Sequence, residues 1–88
     1  MPWLSTIRSG DCMQTEYPER YKILGLKIAY YRKKVDLTQE QFAEKIGKSV
    51  SFLAQVEGTG TARGVSLETL FKMADVLGIS PSKLLEDD

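Results

Sequence analysis

Thr38 opens a stretch that can be little other than a short helix with a sharp stop. Its hydroxyl stands three residues before Gln41, the spacing of a capping box, and Leu37 and Phe42 hold the two positions of a hydrophobic staple. Gly47 then supplies the left-handed residue that ends a helix. The spacing predicts a helix over Gln39–Ile46 with Phe42, Ala43 and Ile46 inward. Ser49 restarts the chain as N-cap of a second short helix, Val50–Glu57, whose inward residues are Leu53 and Val56. The same grammar returns downstream. Ser66 caps a helix carrying Leu67, Leu70, Met73, Ala74 and Leu77 on one face, with Val65 and Leu70 placed to staple it. Gly78 stops that helix, Ser80 caps the last one, and Pro81 takes its first position, with Leu84 and Leu85 directed to the core.

Upstream, Leu24, Ile28, Tyr31 and Val35 recur at three- and four-residue steps, which predicts a helix from Glu19 to about Lys34. Arg32, Lys33 and Lys34 crowd its last turn, where cations complement the carbonyl end, and Asp36 breaks the pattern. Before Glu19 the chain mixes Pro, Gly, Ser and Asp with isolated apolar residues and has no period. Residues 1–18 therefore read as a flexible N-terminal arm, and residues 19–88 as one domain. Short helices throughout and no convincing strand predict a compact all-α fold with five helices.

The chemistry available narrows the function. There is no histidine, so the commonest general base and transition-metal ligand are both missing. Cys12 is the lone cysteine, which rules out an intramolecular disulfide and fits a reducing compartment. The glycine-rich stretch Gly58–Gly64 follows a helix pattern and lacks the Gly-Lys-Ser/Thr ending of a phosphate-cradling loop. Neither a secretory leader nor an apolar run of bilayer length is visible. The expectation is a cytoplasmic protein that is not an enzyme and uses no cofactor and no metal.

Net charge is zero, but it is unevenly spread. Lys22 to Arg63 contains eight basic and four acidic residues, a surplus of +4, and the rest of the chain carries −4. A positive central block with acidic ends can face phosphates. Within it, two short helices joined by a tight glycine turn make a helix-turn-helix if the second keeps a polar outer face. Taking Leu53 as inward and stepping 100° per residue, Val56 and Glu57 fall within about 60° of it, while Ser51 and Gln55 lie near the opposite side. A glutamine there can pair with adenine through two hydrogen bonds in the major groove. Phe52, Phe71, Leu26, Tyr30 and Val76 fall outside the inward stripes, enough exposed apolar surface for a dimer or partner contact.

The segment LTQEQFAEKIGKSVSFLAQVEG resembles the helix-turn-helix of the phage-repressor and Cro-like family, often called the XRE family. The resemblance extends over roughly Leu24 to Leu85, with VSLETLFKMADVLGISPSKLL similar to the family's fourth and fifth helices. It implies a lambda-repressor-like domain and a set of site residues. Gln39 matches the residue that contacts phosphate and braces the recognition helix. Val50, Ser51 and Gln55 match base-contacting positions, and Val50 can meet a thymine methyl. Ser49 and Arg63 match backbone-contacting positions, joined as candidates by Lys48 and Phe52 at the edge of the same helix. Arg32 and Glu57 match an ion pair tying the first helix to the end of the recognition helix. The implied function is a sequence-specific transcriptional regulator, a repressor by type, bound to double-stranded DNA as a homodimer on a two-fold operator. Two alternatives stay open: an antitoxin that regulates its own toxin–antitoxin pair, and a protein-interaction module that keeps the fold without binding DNA.

Overall fold

A computed structural model describes residues 15–58 and 63–86. The readings of Cys12, of most of the arm at residues 1–18 and of residues 59–62 in the glycine-rich stretch lie outside the described residues, as do Asp87 and Asp88. Five helices follow in order: α1 (Pro18–Lys34), α2 (Gln39–Ile46), α3 (Val50–Glu57), α4 (Leu67–Leu77) and α5 (Pro81–Leu85). No strand occurs among the described residues.

The helix starts follow the local chemistry. Thr38 Oγ1 accepts from the Gln41 amide at 3.1 Å, and Gln41 Oε1 accepts from the Thr38 amide at 2.9 Å, closing the capping box. Ser49, Ser66 and Ser80 cap α3, α4 and α5 through their hydroxyls. α1 differs. It begins at Pro18, one residue before the predicted start, and its N-cap Tyr17 makes no side-chain cap bond, so the fixed φ of proline opens the helix.

The helix stops share one geometry. Gly47 (φ 72°) and Gly78 (φ 72°) are left-handed, and each stop is closed by a pair of backbone bonds, Lys48 to Ala43 with Gly47 to Glu44, and Ile79 to Ala74 with Gly78 to Asp75. The end of α1 repeats this arrangement with Leu37 bonded back to Arg32 and Asp36 to Lys33, and Asp36 takes the glycine role at φ 61°. Aspartate tolerates the left-handed region better than most residues, so the residue that breaks the sequence pattern is the one that turns the chain.

α3 packs on α2 and α1, α2 also packs on α4, and α5 closes the domain against α1 and α4. Leu24, Ile28, Phe42, Ala43, Ile46, Leu53, Val56, Leu70, Met73, Ala74, Leu77 and Leu84 form the continuous core. Three residues assigned inward are not. Val35 lies past the end of α1 and is exposed, and the buried position of that last turn belongs to Arg32. Leu67 is the first residue of α4 and is exposed, because helix side chains lean toward the N-terminus and none of the preceding turn lies over it. Thr69 is buried instead, its hydroxyl accepting from Ser66 Oγ at 3.0 Å. Leu85 is exposed beside buried Leu84, since adjacent residues of so short a helix point about 100° apart. Conversely, Phe52 and Val76, placed outside the inward stripes, are partly buried and pack against the core. Tyr31 is half-buried at the core's edge.

Candidate nucleic-acid interface

The turn Gly47–Ser49 links α2 to α3 in the tightest way available: a left-handed glycine, one residue, then an N-cap. Ser49 fixes the start of α3 by accepting from the Phe52 amide at 3.0 Å, and Leu53 and Val56 anchor its inner side in the core. With that face buried, Ser51, Ala54 and Gln55 stand exposed on the other, and Val50 is 41% exposed at the N-terminal end. α3 has no acidic residue in its first turn and no basic residue in its last. Its outward face therefore offers hydroxyl and carboxamide groups, methyl groups and free backbone donors, with no charge of its own.

Glu57 is the one ionised residue of α3, and it is turned inward. Its side chain is only 5% exposed and lies in the fork of Arg32, whose Nε donates to Oε2 at 2.8 Å and whose Nη2 donates to Oε1 at 3.0 Å. Gln39 Nε2 donates to the same Oε1 at 3.0 Å, and Arg32 Nη1 reaches back to the Leu37 carbonyl at 2.7 Å. One carboxylate thus ties the last turn of α1, the first residue of α2 and the last residue of α3 together. A two-pronged arginine–carboxylate pair holds angle as well as distance. Because both charges are buried, removing either leaves the other unpaired, at a cost of about 3–5 kcal/mol. Leu37 as an acceptor in this network is not visible in the sequence, since the bond depends on the turn at Asp36.

Lys48 and Arg63 come from opposite ends of α3 and meet at one side chain. Lys48 Nζ lies 5.5 Å from the Phe52 ring centroid, and Arg63 Cζ lies 5.0 Å from it. Both cations sit within the reach of a cation–π contact. Arg63 Nε is shielded from solvent and has no hydrogen-bond acceptor among the described residues.

Gly25 is a further determinant that the helical pattern of α1 conceals. A Cβ built there would stand 2.0 Å from the Val56 carbonyl oxygen and 3.5 Å from Glu57 Cα. The backbones of α1 and α3 touch at this point, so the glycine sets how far α3 projects. An isolated glycine within an apolar helical stripe is the only signal of this in the sequence.

On α4, Phe71 is 52% exposed and shares its side of the helix with exposed Leu67, four residues earlier. Val76 follows Phe71 by five residues, which places it about 140° around the helix. It lines a separate shallow groove with Val35, Leu37 and Lys45.

The Helix-turn-helix family model matches residues 28–84. Among solved structures, the restriction-modification controller protein C.AhdI from Aeromonas hydrophila is similar at 31% identity over 73% of this chain and 94% of that one, with a TM-score of 0.66. The N-terminal DNA-binding domain of SinR from Bacillus subtilis is similar at 30% identity over 76% of this chain and 96% of that one, with a TM-score of 0.68. A structure of SinR, described as the master regulator for biofilm formation and solved in complex with DNA, is similar at 32% identity over 72% and 98% of the two chains, with a TM-score of 0.66. No curated protein sequence matches the chain.

Proposed function

Since the chain belongs to the helix-turn-helix family, in its phage-repressor and Cro-like branch, we propose that it is a DNA-binding transcriptional regulator that inserts α3 into the major groove. The observation that carries this reading is the division of α3 into two faces. Leu53, Val56 and Glu57 hold it in the domain, while Ser51, Ala54 and Gln55 are left exposed and uncharged on the other side. A helix that protrudes with small and carboxamide side chains can approach base edges closely, and Gln55 has the donor–acceptor pair that matches adenine. The likeness to SinR, solved in complex with DNA, supports DNA binding. In this reading Val50, Ser51 and Gln55 meet bases, Gln39 sets the angle of α3 through Glu57, and Ser49, Lys48, Phe52 and Arg63 lie along the sugar-phosphate backbone.

One such helix reads only a few base pairs, so specific binding calls for two copies on half-sites about 34–36 Å apart. The exposed side of α4 around Leu67 and Phe71 is the surface we assign to that dimer, and Val76 faces elsewhere. No helix among the described residues is long and apolar enough to cross a membrane. As repressor, the protein would act by occupying its operator; the residues before α1, which begins at Pro18 and not at Glu19, would be an arm outside the domain.

Selection of bound sequences from a random duplex pool tests the proposal. The expected result is an inverted repeat with that spacing, bound with strong salt dependence. A pool that shows no enrichment, together with no salt-dependent binding to bulk duplex, would instead assign the fold to protein interaction.

A further inference from the structure

Phe52 joins two cations that the sequence separates by fifteen residues, Lys48 in the turn before α3 and Arg63 in the loop after it. Both cations stand against one ring, and the first turn of α3 carries no acidic residue to neutralise them. The aromatic ring is the feature that gathers them, since its negative face attracts both. Arg63 also carries a cost there, because its Nε is shielded from solvent without an acceptor among the described residues. Two cations held at one ring, with Lys48 Nζ and the guanidinium of Arg63 offering several donors, suit an anion with several acceptor oxygens. A backbone phosphate of DNA lying beside α3 is such an anion.

We propose that Phe52 is a positioning residue for phosphate binding: its ring holds Lys48 and Arg63 as a preset pair that grips the DNA backbone beside the recognition helix. The proposal rests on the DNA-binding reading above. Phe52 contributes no charge and reads no base. It saves the ordering that two long, flexible side chains would otherwise undergo on binding. Lys48 reaches the ring from the α2–α3 turn, so the grip is tied to the same glycine turn that sets α3.

Fluorescence anisotropy on a selected duplex and on a scrambled one, each at several salt concentrations, tests this through a double-mutant cycle. Lys48→Ala with Arg63→Ala should weaken both duplexes and lower the salt slope by about 2. Phe52→Leu should weaken both duplexes about five- to tenfold in the parent. In the Lys48→Ala/Arg63→Ala background the same change should alter affinity less than twofold. Phe52→Tyr, which keeps the ring, should stay within twofold of the parent. Phe52 is partly buried against the core, so Phe52→Met replaces Phe52→Leu if thermal unfolding shows that the latter fails to fold. A loss of equal size in both backgrounds means that Phe52 acts by packing α3, and overturns the proposal; so does a Phe52→Leu variant with parental affinity. A parent that binds neither duplex removes the DNA-binding reading and this inference together, whereas an additive cycle on a binding parent removes the inference alone.

Discussion

Gly25→Ala sets two physical effects against each other with opposite signs. Intrinsic helix propensity favours alanine over glycine in a helix interior by about 1 kcal/mol. Sterics oppose it, because the new methyl would stand 2.0 Å from the Val56 carbonyl oxygen and 3.1 Å from the Val56 carbonyl carbon. An ordinary contact begins near 3.4 Å, so α1 and the last turn of α3 would have to separate by about 1.4 Å. The obstructing atoms are backbone, which cannot swing aside as the end of a side chain can. Forcing extra volume into a packed contact costs about 1–3 kcal/mol, and a backbone clash belongs at or above the top of that range. The net expectation is a loss of about 2 kcal/mol, or a thermal midpoint lower by roughly 8–16 °C for a domain of this size. Circular dichroism melts of the parent and the variant measure it, with urea titrations to check that the slope is preserved. The displacement also reaches Glu57, so DNA affinity should fall on every sequence alike. A variant whose midpoint equals or exceeds that of the parent would refute the close approach of α1 and α3, since propensity alone would then govern.

The remaining predictions concern the surface. Gln55→Ala should lose about 1–3 kcal/mol of discrimination at one base pair with the thermal midpoint unchanged, and a variant that keeps the full base preference removes Gln55 from the readers. Phe71→Glu should leave the monomer folded and weaken operator binding by loss of the dimer; sedimentation at several concentrations checks it, and a parent that stays monomeric both free and on a two-fold site excludes the dimer. A chain starting at Met13 should unfold at the parental midpoint, because α1 begins at Pro18 and the residues before it lack a periodic apolar face. A large drop would place Trp3, Leu4 and Ile7 against the domain or across a dimer.

The starts of four helices and the stops of two were legible because they are set by chemistry within a few residues. Thr38, Ser49, Ser66 and Ser80 cap their own helices, and Gly47 and Gly78 stop α2 and α4, with no help from distant parts of the chain. The stripes through Phe42, Leu53 and Leu70 are legible for the same reason, since helical period alone decides which residues share a side. The exposed positions of Ser51 and Gln55 follow from that period once Leu53 is taken as inward.

What covers a given side, and how closely, was decided only by the other helices. The period of α1 admits both Val35 and Arg32 near the core at its end, and the core took the arginine because Glu57 and the Leu37 carbonyl could satisfy it there. Leu67 and Leu85 carry the right residue type at helix termini where no neighbour covers them. Gly25 marks an interruption of the stripe in α1, but nothing near it in sequence says that the Val56 carbonyl lies against it. Nor can spacing bring Lys48 and Arg63 to the same ring. Each of these depends on atoms far apart in the chain, and such contacts come into being only when α1, α2 and α3 pack. The sequence by itself determined where four helices begin, where α2 and α4 stop and which residues share a side; the packing determined which residues became core, brace and grip, because burial and charge pairing belong to the assembled helices.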